Sequence, residues 1–342
     1  MPCYLLVGGS NCVLKDGYGA RLQQQLPGEW RNSALGASPS LRGVEYLLND
    51  QASLGKIDHI FFEYTLNDLV FEGSNTLDPL VHLNWLKCMA SVETIRKKLI
   101  FILLHGKSAS ARIASGHSFV VDNYRKIISQ FGVQHIDLFP LIGESVNSKG
   151  QVEVFKNNDH FTPHMVQSLV SKTMAKLPKC SVERASQLEG SIPTNIKVVA
   201  LDPLADAHIY NVPSHEFKTK LVEVKLARMT ESSEIRFKSP GGALVGFYAV
   251  SDHDSGFVRI TCQQREIVKA VQHKFGVGRK PYMALRHLTT PLYTRANEDI
   301  YIRYAHDIFS IPNASLDNTN GQIINGIKVG TQVDVGKFIF LV

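Results

Sequence analysis

The sequence predicts an α/β fold, a parallel five-stranded sheet covered by helices, followed by an antiparallel β-sandwich. Three observations carry this reading. Through the first half, short apolar runs alternate with helix-length segments, the pattern of βαβ units. The runs are near-continuous in apolar residues, as strands buried on both faces must be. Beyond Pro178 the helical period disappears and short strand-like runs remain, divided by turn clusters, as in a sandwich or jelly roll.

Each element follows from local pattern. Strand-like runs fall at 4–7, 30–35, 59–64, 99–104 and 133–138, with helix-length segments at 13–25, 41–48, 77–98 and 118–131. A last helix is predicted over 163–176, with Thr162 as its N-cap and Pro163 at the first helical position. At roughly 150 residues per domain, 342 residues suggest two domains. Residues 1–178 form the first, 179–193 read as a polar linker, and 194–342 form the sandwich. Its strands are expected at 196–200, 221–227, 233–237, 243–250, 257–262, 300–304 and 337–342. Ser239-Pro240-Gly241-Gly242 and Asp317-Asn318-Thr319-Asn320-Gly321 read as turns between them.

Composition removes several classes of function. Hydrophobic residues make up 44% and charged residues 20%, which excludes a disordered tail or a simple coiled coil. No apolar run approaches about 18 residues, so no transmembrane helix is expected. The opening Met1-Pro2-Cys3-Tyr4-Leu5-Leu6-Val7 breaks at a glycine pair before a secretory signal is complete. Cys3, Cys12, Cys88, Cys180 and Cys262 are scattered, which suits a reducing cytoplasm and supplies no metal-ligand set. A cytoplasmic location is the expectation. The net charge of +6 favours an anionic partner without naming one. Arg96-Lys97-Lys98 lacks the interleaved aromatics of a nucleic-acid site. Asn313-Ala314-Ser315 is a glycosylation sequon by pattern only.

Ligands of parallel sheets sit outside the carboxyl ends of the strands, so chemistry is sought in the loops that follow them. After the first strand comes Gly8-Gly9-Ser10-Asn11, where glycine permits a sharp turn and the following helix offers free amides. Ser10 there is a nucleophile, a helix cap or part of a phosphate loop, although the glycine spacings of nucleotide loops are missing. Gly36, after the second strand, can present its amide or make an ordinary turn. Asn67, after the third, can donate to an oxyanion or cap a helix. His160, before the last helix, can reach the end of the first strand or lie on the surface. His105 borders the same edge as a substrate contact or a plain loop residue. His164 lacks a third ligand for a metal, and Asp137 reads as structural. The joint order of serine, glycine, asparagine and histidine is what makes a site.

That order resembles the SGNH (GDSL-type) hydrolase superfamily over residues 1–178, about half the chain. Its blocks are Gly8-Gly9-Ser10-Asn11, with Gly9 where the family often has aspartate; Gly36; Thr65-Leu66-Asn67-Asp68, with Thr65 in place of glycine; and His160-Phe161-Thr162-Pro163. The resemblance implies a flavodoxin-like sheet of SGNH type and no metal or other cofactor. It makes Ser10 the nucleophile and His160 the general base. The oxyanion hole is then the Ser10 amide, the Gly36 amide and the Asn67 side chain. One position departs, because the family's aspartate three residues before its histidine is Asn157 here. The partner of His160 is then Asp159, or a backbone carbonyl in a Ser–His dyad, or absent in a weakened enzyme. The dyad predicts that Asn157→Ala has little effect while His160→Ala is severe.

The resemblance also implies acyl-ester chemistry on carbohydrates through an acyl-Ser10 intermediate. First blocks of the GGSN type are similar to those of surface-polysaccharide (capsule) biosynthesis. A carbohydrate, including an anionic polysaccharide, is then the expected partner, and the missing export signal leans towards a cytoplasmic O-acetyltransferase with acetyl-CoA, an intracellular compound, as donor. A carbohydrate O-acetyl esterase, a catalytically silent glycan-binding protein and, more remotely, an acyl carrier at Cys12 are the alternatives. The sandwich is expected to recognise glycan or to oligomerise, with Phe247, Tyr248, Tyr282, Tyr293 and Tyr304 stacking on sugars or filling the core.

Overall fold

Strands with two apolar faces pair side by side because only a sheet covered on both sides buries them. The computed structural model describes residues 1–183, 195–219, 222–252, 255–263, 265–271, 281–305, 315–317 and 330–342. In it β1 (Cys3–Gly8), β2 (Glu29–Asn32), β3 (His59–Glu63), β4 (Leu99–Leu103) and β5 (Gln134–Asp137) form a parallel sheet in the order β2-β1-β3-β4-β5. This is the flavodoxin-like order, whose switch point lies between β1 and β3. All of β4 is buried, as is β1 beyond Cys3.

The helices are α1 (Ser10–Val13), α2 (Tyr18–Gln25), α3 (Leu41–Asn49), α4 (Thr65–Gly73), α5 (Pro79–Ser91), α6 (Glu93–Arg96), α7 (Ser110–Ser115), α8 (Phe119–Phe131), α9 (Phe139–Lys149), α10 (Gln151–Val154) and α11 (Pro163–Glu183). They depart from the local reading in several places: α7, α9 and α10 fall where no helix is predicted, and the segment 77–98 divides between α5 and α6. The helix predicted over 13–25 is broken where Gly17 N donates to Leu14 O at 3.0 Å and closes a turn. The segment Thr65-Leu66-Asn67-Asp68 is the first turn of α4 rather than a loop. Helix α11 starts beside the expected cap, Thr162 Oγ1 accepting from Met165 N at 3.3 Å, and runs on past Pro178.

The chain divides into two compact units, Met1–Gly73 with His82–Thr194 and Ser74–Val81 with Asn195–Val342. The short excursion 74–81 therefore goes with the second unit. Most of the segment read as a linker lies outside the described residues, as do the sequon apart from Ser315 and the turn expected after Asp317.

The second unit holds β6 (Val198–Leu201), β7 (His208–Tyr210), β8 (Ser214–Lys218), β9 (Glu223–Met229), β10 (Glu234–Ser251), β11 (Phe257–Cys262), β12 (Arg265–Ala270), β13 (Tyr282–Ala305), β14 (Ser315–Asp317) and β15 (Val333–Leu341). Their order is β14-β12-β11-β13-β10-β15-β9-β8, with β6 on β15 and β7 on β10. Pairing is antiparallel except between β12 and β14. In its apolar, sandwich-like interior the Phe338 ring lies 5.1 Å from Phe237 and 5.2 Å from Phe247. The strands expected at 233–237 and 243–250 are one strand, and Ser239-Pro240-Gly241-Gly242 is a bulge within it. Gly241 and Gly242 take φ of +90° and +77°, and Ser239 Oγ accepts from Gly241 N at 2.9 Å. The register with β13 slips there and again between Leu244 and Gly246, which bends the strand without ending it.

Candidate active site

Where β1 ends, the chain turns over the sheet edge at once to begin α1. Gly9 N donates to Glu63 O at 2.9 Å, and Cys12 N donates to Gly9 O at 3.1 Å. A Cβ on Gly9 would collide with Asn67 Oδ1 and lie 2.6 Å from Asn67 Cγ. Gly9, where the resemblance often has aspartate, here packs directly against the Asn67 side chain. Ser10 is the first residue of α1, so its amide is among those without an intrahelical acceptor.

Ser10 Oγ donates to His160 Nε2 at 3.0 Å. His160 Nδ1 lies 3.0 Å from Asn157 Oδ1, which also accepts from the backbone N–H of Asp159 and of His160, each at 3.0 Å. The two backbone N–H donors identify this atom as the amide oxygen, an acceptor only, so Nδ1 must donate to it. The imidazole proton therefore sits on Nδ1, and Nε2 presents the lone pair a base needs. An asparagine presenting its nitrogen would impose the opposite tautomer.

This corrects the expectation for Asp159. Its carboxylate accepts from Ser108 Oγ at 3.5 Å, and its main-chain oxygen accepts from Asn11 Nδ2 at 3.3 Å. Neither it nor a backbone carbonyl takes Nδ1. Adjacent side chains diverge, whereas a side chain three residues earlier folds back over the turn. Asparagine keeps the accepting oxygen of aspartate and loses only the charge, and the position itself was the signal that could have found it. Asn157→Ala is therefore expected to be costly, not mild. Burial lowers the pKa of the half-buried His160 from the ordinary imidazole value; the Asp159 charge opposes this and Lys156 adds to it.

The loop after β2 comes up against Ser10. Leu35 N donates to Gly8 O at 2.9 Å, and a Cβ on Gly36 would lie 3.6 Å from both Cα and Cβ of Ser10. Ala37 takes a left-handed φ of +53°. Ser38 O then accepts from Asn67 Nδ2 at 2.8 Å. Ser10, Gly36, Asn67 and His160 thus gather at the carboxyl edge of the sheet, by the β1–β3 switch point.

The other candidates are engaged elsewhere. His105 is buried with Nδ1 3.1 Å from Gly106 O, and burial lowers its pKa. His164 Nε2 lies 3.0 Å from Lys149 Nζ. Asp137 Oδ1 accepts from Phe139 N at 2.9 Å, at the start of α9. The Cys12 thiol donates to Glu63 Oε2 at 3.4 Å, and burial holds its pKa well above the usual thiol range. Burial likewise pushes Glu63 up to about 8, against hydrogen bonds from Cys12 and Gly9. Among the described residues no group of three or more His, Cys, Asp or Glu is placed to hold a metal ion. No helix among them is long and apolar enough to cross a membrane.

In the second unit Phe247, Tyr248 and Tyr304 are buried, and Tyr282 lies 5.7 Å from the Arg286 guanidinium. Tyr293 is 57% exposed. A cleft of about 670 Å³ is lined by residues that include His215, Phe217, Arg228, Ser255, Gln332 and Asp334.

The five-stranded unit carries serine after β1 and histidine before the last helix on the strand order β2-β1-β3-β4-β5, the arrangement that the resemblance to the SGNH (GDSL-type) hydrolases implies. The whole chain is similar to a two-domain esterase active on acetylated mannans, with a TM-score of 0.69 and 10% identity, covering 99% of this chain and 91% of that one. A structure of such an esterase co-crystallised with mannopentaose matches with a TM-score of 0.66 and 11% identity, covering 99% and 90%. No family model and no curated protein matches the sequence.

Proposed function

We propose that the protein is a carbohydrate O-acetyl esterase working through an acyl-Ser10 intermediate. The observation that carries this reading is the Ser10 Oγ to His160 Nε2 hydrogen bond of 3.0 Å, with Asn157 Oδ1 fixing the tautomer from the other side. Ser10 Oγ attacks the ester carbonyl as its proton passes to His160 Nε2. The Ser10 and Gly36 amides and the second amide hydrogen of Asn67 receive the oxyanion, the first being committed to Ser38 O. Collapse expels the sugar oxygen, which takes the proton from Nε2. A water then gives a proton to the same nitrogen as it attacks the acyl carbon; collapse breaks the bond to Ser10 Oγ, which takes that proton back from Nε2, and acetate is released.

Asn157 orients the ring without supplying charge, so the imidazolium formed here is less stabilised than beside a carboxylate. A sugar ester as substrate is supported by the full-length likeness to an esterase active on acetylated mannans. The cleft and the open Tyr293 ring give the second unit surfaces on which a glycan chain can lie. The test compares wild type with Ser10→Ala on p-nitrophenyl acetate, on acetylated mannan, and on acetyl-CoA with a panel of polysaccharides. Ser10-dependent acetate release is the expected result. Ser10-dependent CoA release that requires a glycan would instead make the protein a transferase with acetyl-CoA as donor. Polymer binding without any turnover would make it a silent glycan-binding protein.

A further inference from the structure

The loop 36–40, which carries Gly36, is anchored by two consecutive residues of α4. Asn67 Nδ2 donates to Ser38 O at 2.8 Å, and Asp68 Oδ1 accepts from Ser40 N at 2.8 Å. Asp68 is fully buried, and its other oxygen accepts from Tyr124 Oη at 2.9 Å and lies 3.1 Å from His82 Nε2. His82 is fully buried as well, with Asn123 Nδ2 3.0 Å from its Nδ1. An amide nitrogen only donates, so Nδ1 accepts, and the ring N–H sits on Nε2, aimed at Asp68. Trp85 Nε1 donates to Ser40 Oγ at 2.9 Å.

A buried carboxylate is tolerated only when donors surround it. Here the donors come from the loop itself, from α8 and from α5. An apolar filling of the same space would pack as well and cost less desolvation. What hydrogen bonds add is direction, and the loop they direct contains a left-handed alanine next to the oxyanion glycine. We propose that His82 is a positioning residue of the oxyanion hole: it holds Asp68, Asp68 holds Ser40, and Gly36 is thereby kept against Ser10. The inference rests on the esterase reading for its kinetic consequence, but its structural consequence is readable without activity.

The experiment pairs steady-state kinetics on p-nitrophenyl acetate with amide hydrogen exchange across the chain. His82→Leu removes the donor; His82→Gln restores one of similar reach. Tyr124→Phe, nearly isosteric, removes a single O–H from Asp68 and secures the test if His82→Leu does not fold. Tyr18→Phe, which loses a buried 3.0 Å bond to Thr173, controls for stability. For His82→Leu we expect kcat to fall on the order of ten- to a hundredfold with KM within about twofold. Exchange at 34–40 rises at least about tenfold above the rest of the unit. His82→Gln recovers most of both, Tyr124→Phe moves them in the same direction, and Tyr18→Phe moves neither. Unchanged exchange at 34–40, or exchange raised throughout the unit, would overturn the proposal. So would an unchanged kcat in an active enzyme. If wild type shows no Ser10-dependent hydrolysis, the esterase reading falls, while the exchange data still decide the positioning role.

Discussion

The two units treat polar residues in opposite ways. In the first, Ser10, Asn67 and His160 sit at strand or helix ends, each gripped from behind by a named partner. In the second, charges are matched across neighbouring strands: Arg228 with Asp334, Arg236 with Asp299, Arg303 with Glu234, and the buried Lys269 with Asp317. A cross-strand pair satisfies both members and aims at nothing. The candidate site is built from groups oriented at an edge, not from charge density.

The largest expected effect tests that contrast directly. Ser10→Ala and His160→Ala should each lower kcat/KM for p-nitrophenyl acetate on the order of 10⁴- to 10⁶-fold. Arg236→Ala, in the second unit, should leave it unchanged, and a comparable loss there would break the comparison.

Within the first unit the two glycines of the site should separate sharply. A Cβ on Gly9 displaces Asn67, so Gly9→Ala should cost roughly a hundred- to a thousandfold in kcat, the value of one oxyanion donor. A Cβ on Gly36 meets Ser10 only at ordinary contact distance, so Gly36→Ala should leave kcat nearly unchanged.

Turned to the second unit, the contrast becomes one of stability against activity. Lys269→Met leaves the buried Asp317 without its ammonium partner, while Thr289 N and Oγ1 still donate to it. Denaturant unfolding should show a loss of about 3–5 kcal/mol. Turnover of the small ester per folded molecule should not change.

The smallest effect concerns pH. Nε2 accepts the serine proton only while neutral, so kcat/KM falls as pH drops through the His160 pKa. Burial lowers that pKa, which carries activity below the ordinary imidazole range of about 6.5. Asn157→Asp places a negative charge beside Nδ1 and raises the pKa. The acid limb should therefore move to higher pH by about one unit. Asn157→Ala should lower kcat on the order of tenfold or more, because the tautomer is no longer held. A pH–rate profile of the three proteins reads both effects.

The parallel sheet is legible in the sequence because double-sided burial leaves a local mark, as in Leu99-Ile100-Phe101-Ile102-Leu103. The sandwich is less legible. A Pro-Gly-Gly run reads alike as a turn or as a bulge, and the choice at 239–242 depends on hydrogen bonds from β13 and β15, whose residues lie far along the chain. Helix α4 is hidden for a related reason: Thr65, Asn67 and Asp68 are poor helix formers that tertiary partners hold in place.

By itself the sequence determined which residues stand at strand ends, because apolar runs and their breaks are set by neighbours in the chain. That was enough to bring Ser10, Gly36, Asn67 and His160 into one reading. Tertiary structure alone decided that Asn157 rather than Asp159 meets His160, that Gly9 packs against the Asn67 side chain, and that His82 lies behind the loop that carries Gly36. Each of these is a matter of direction and of a few tenths of an ångström between segments that the chain joins only through its fold.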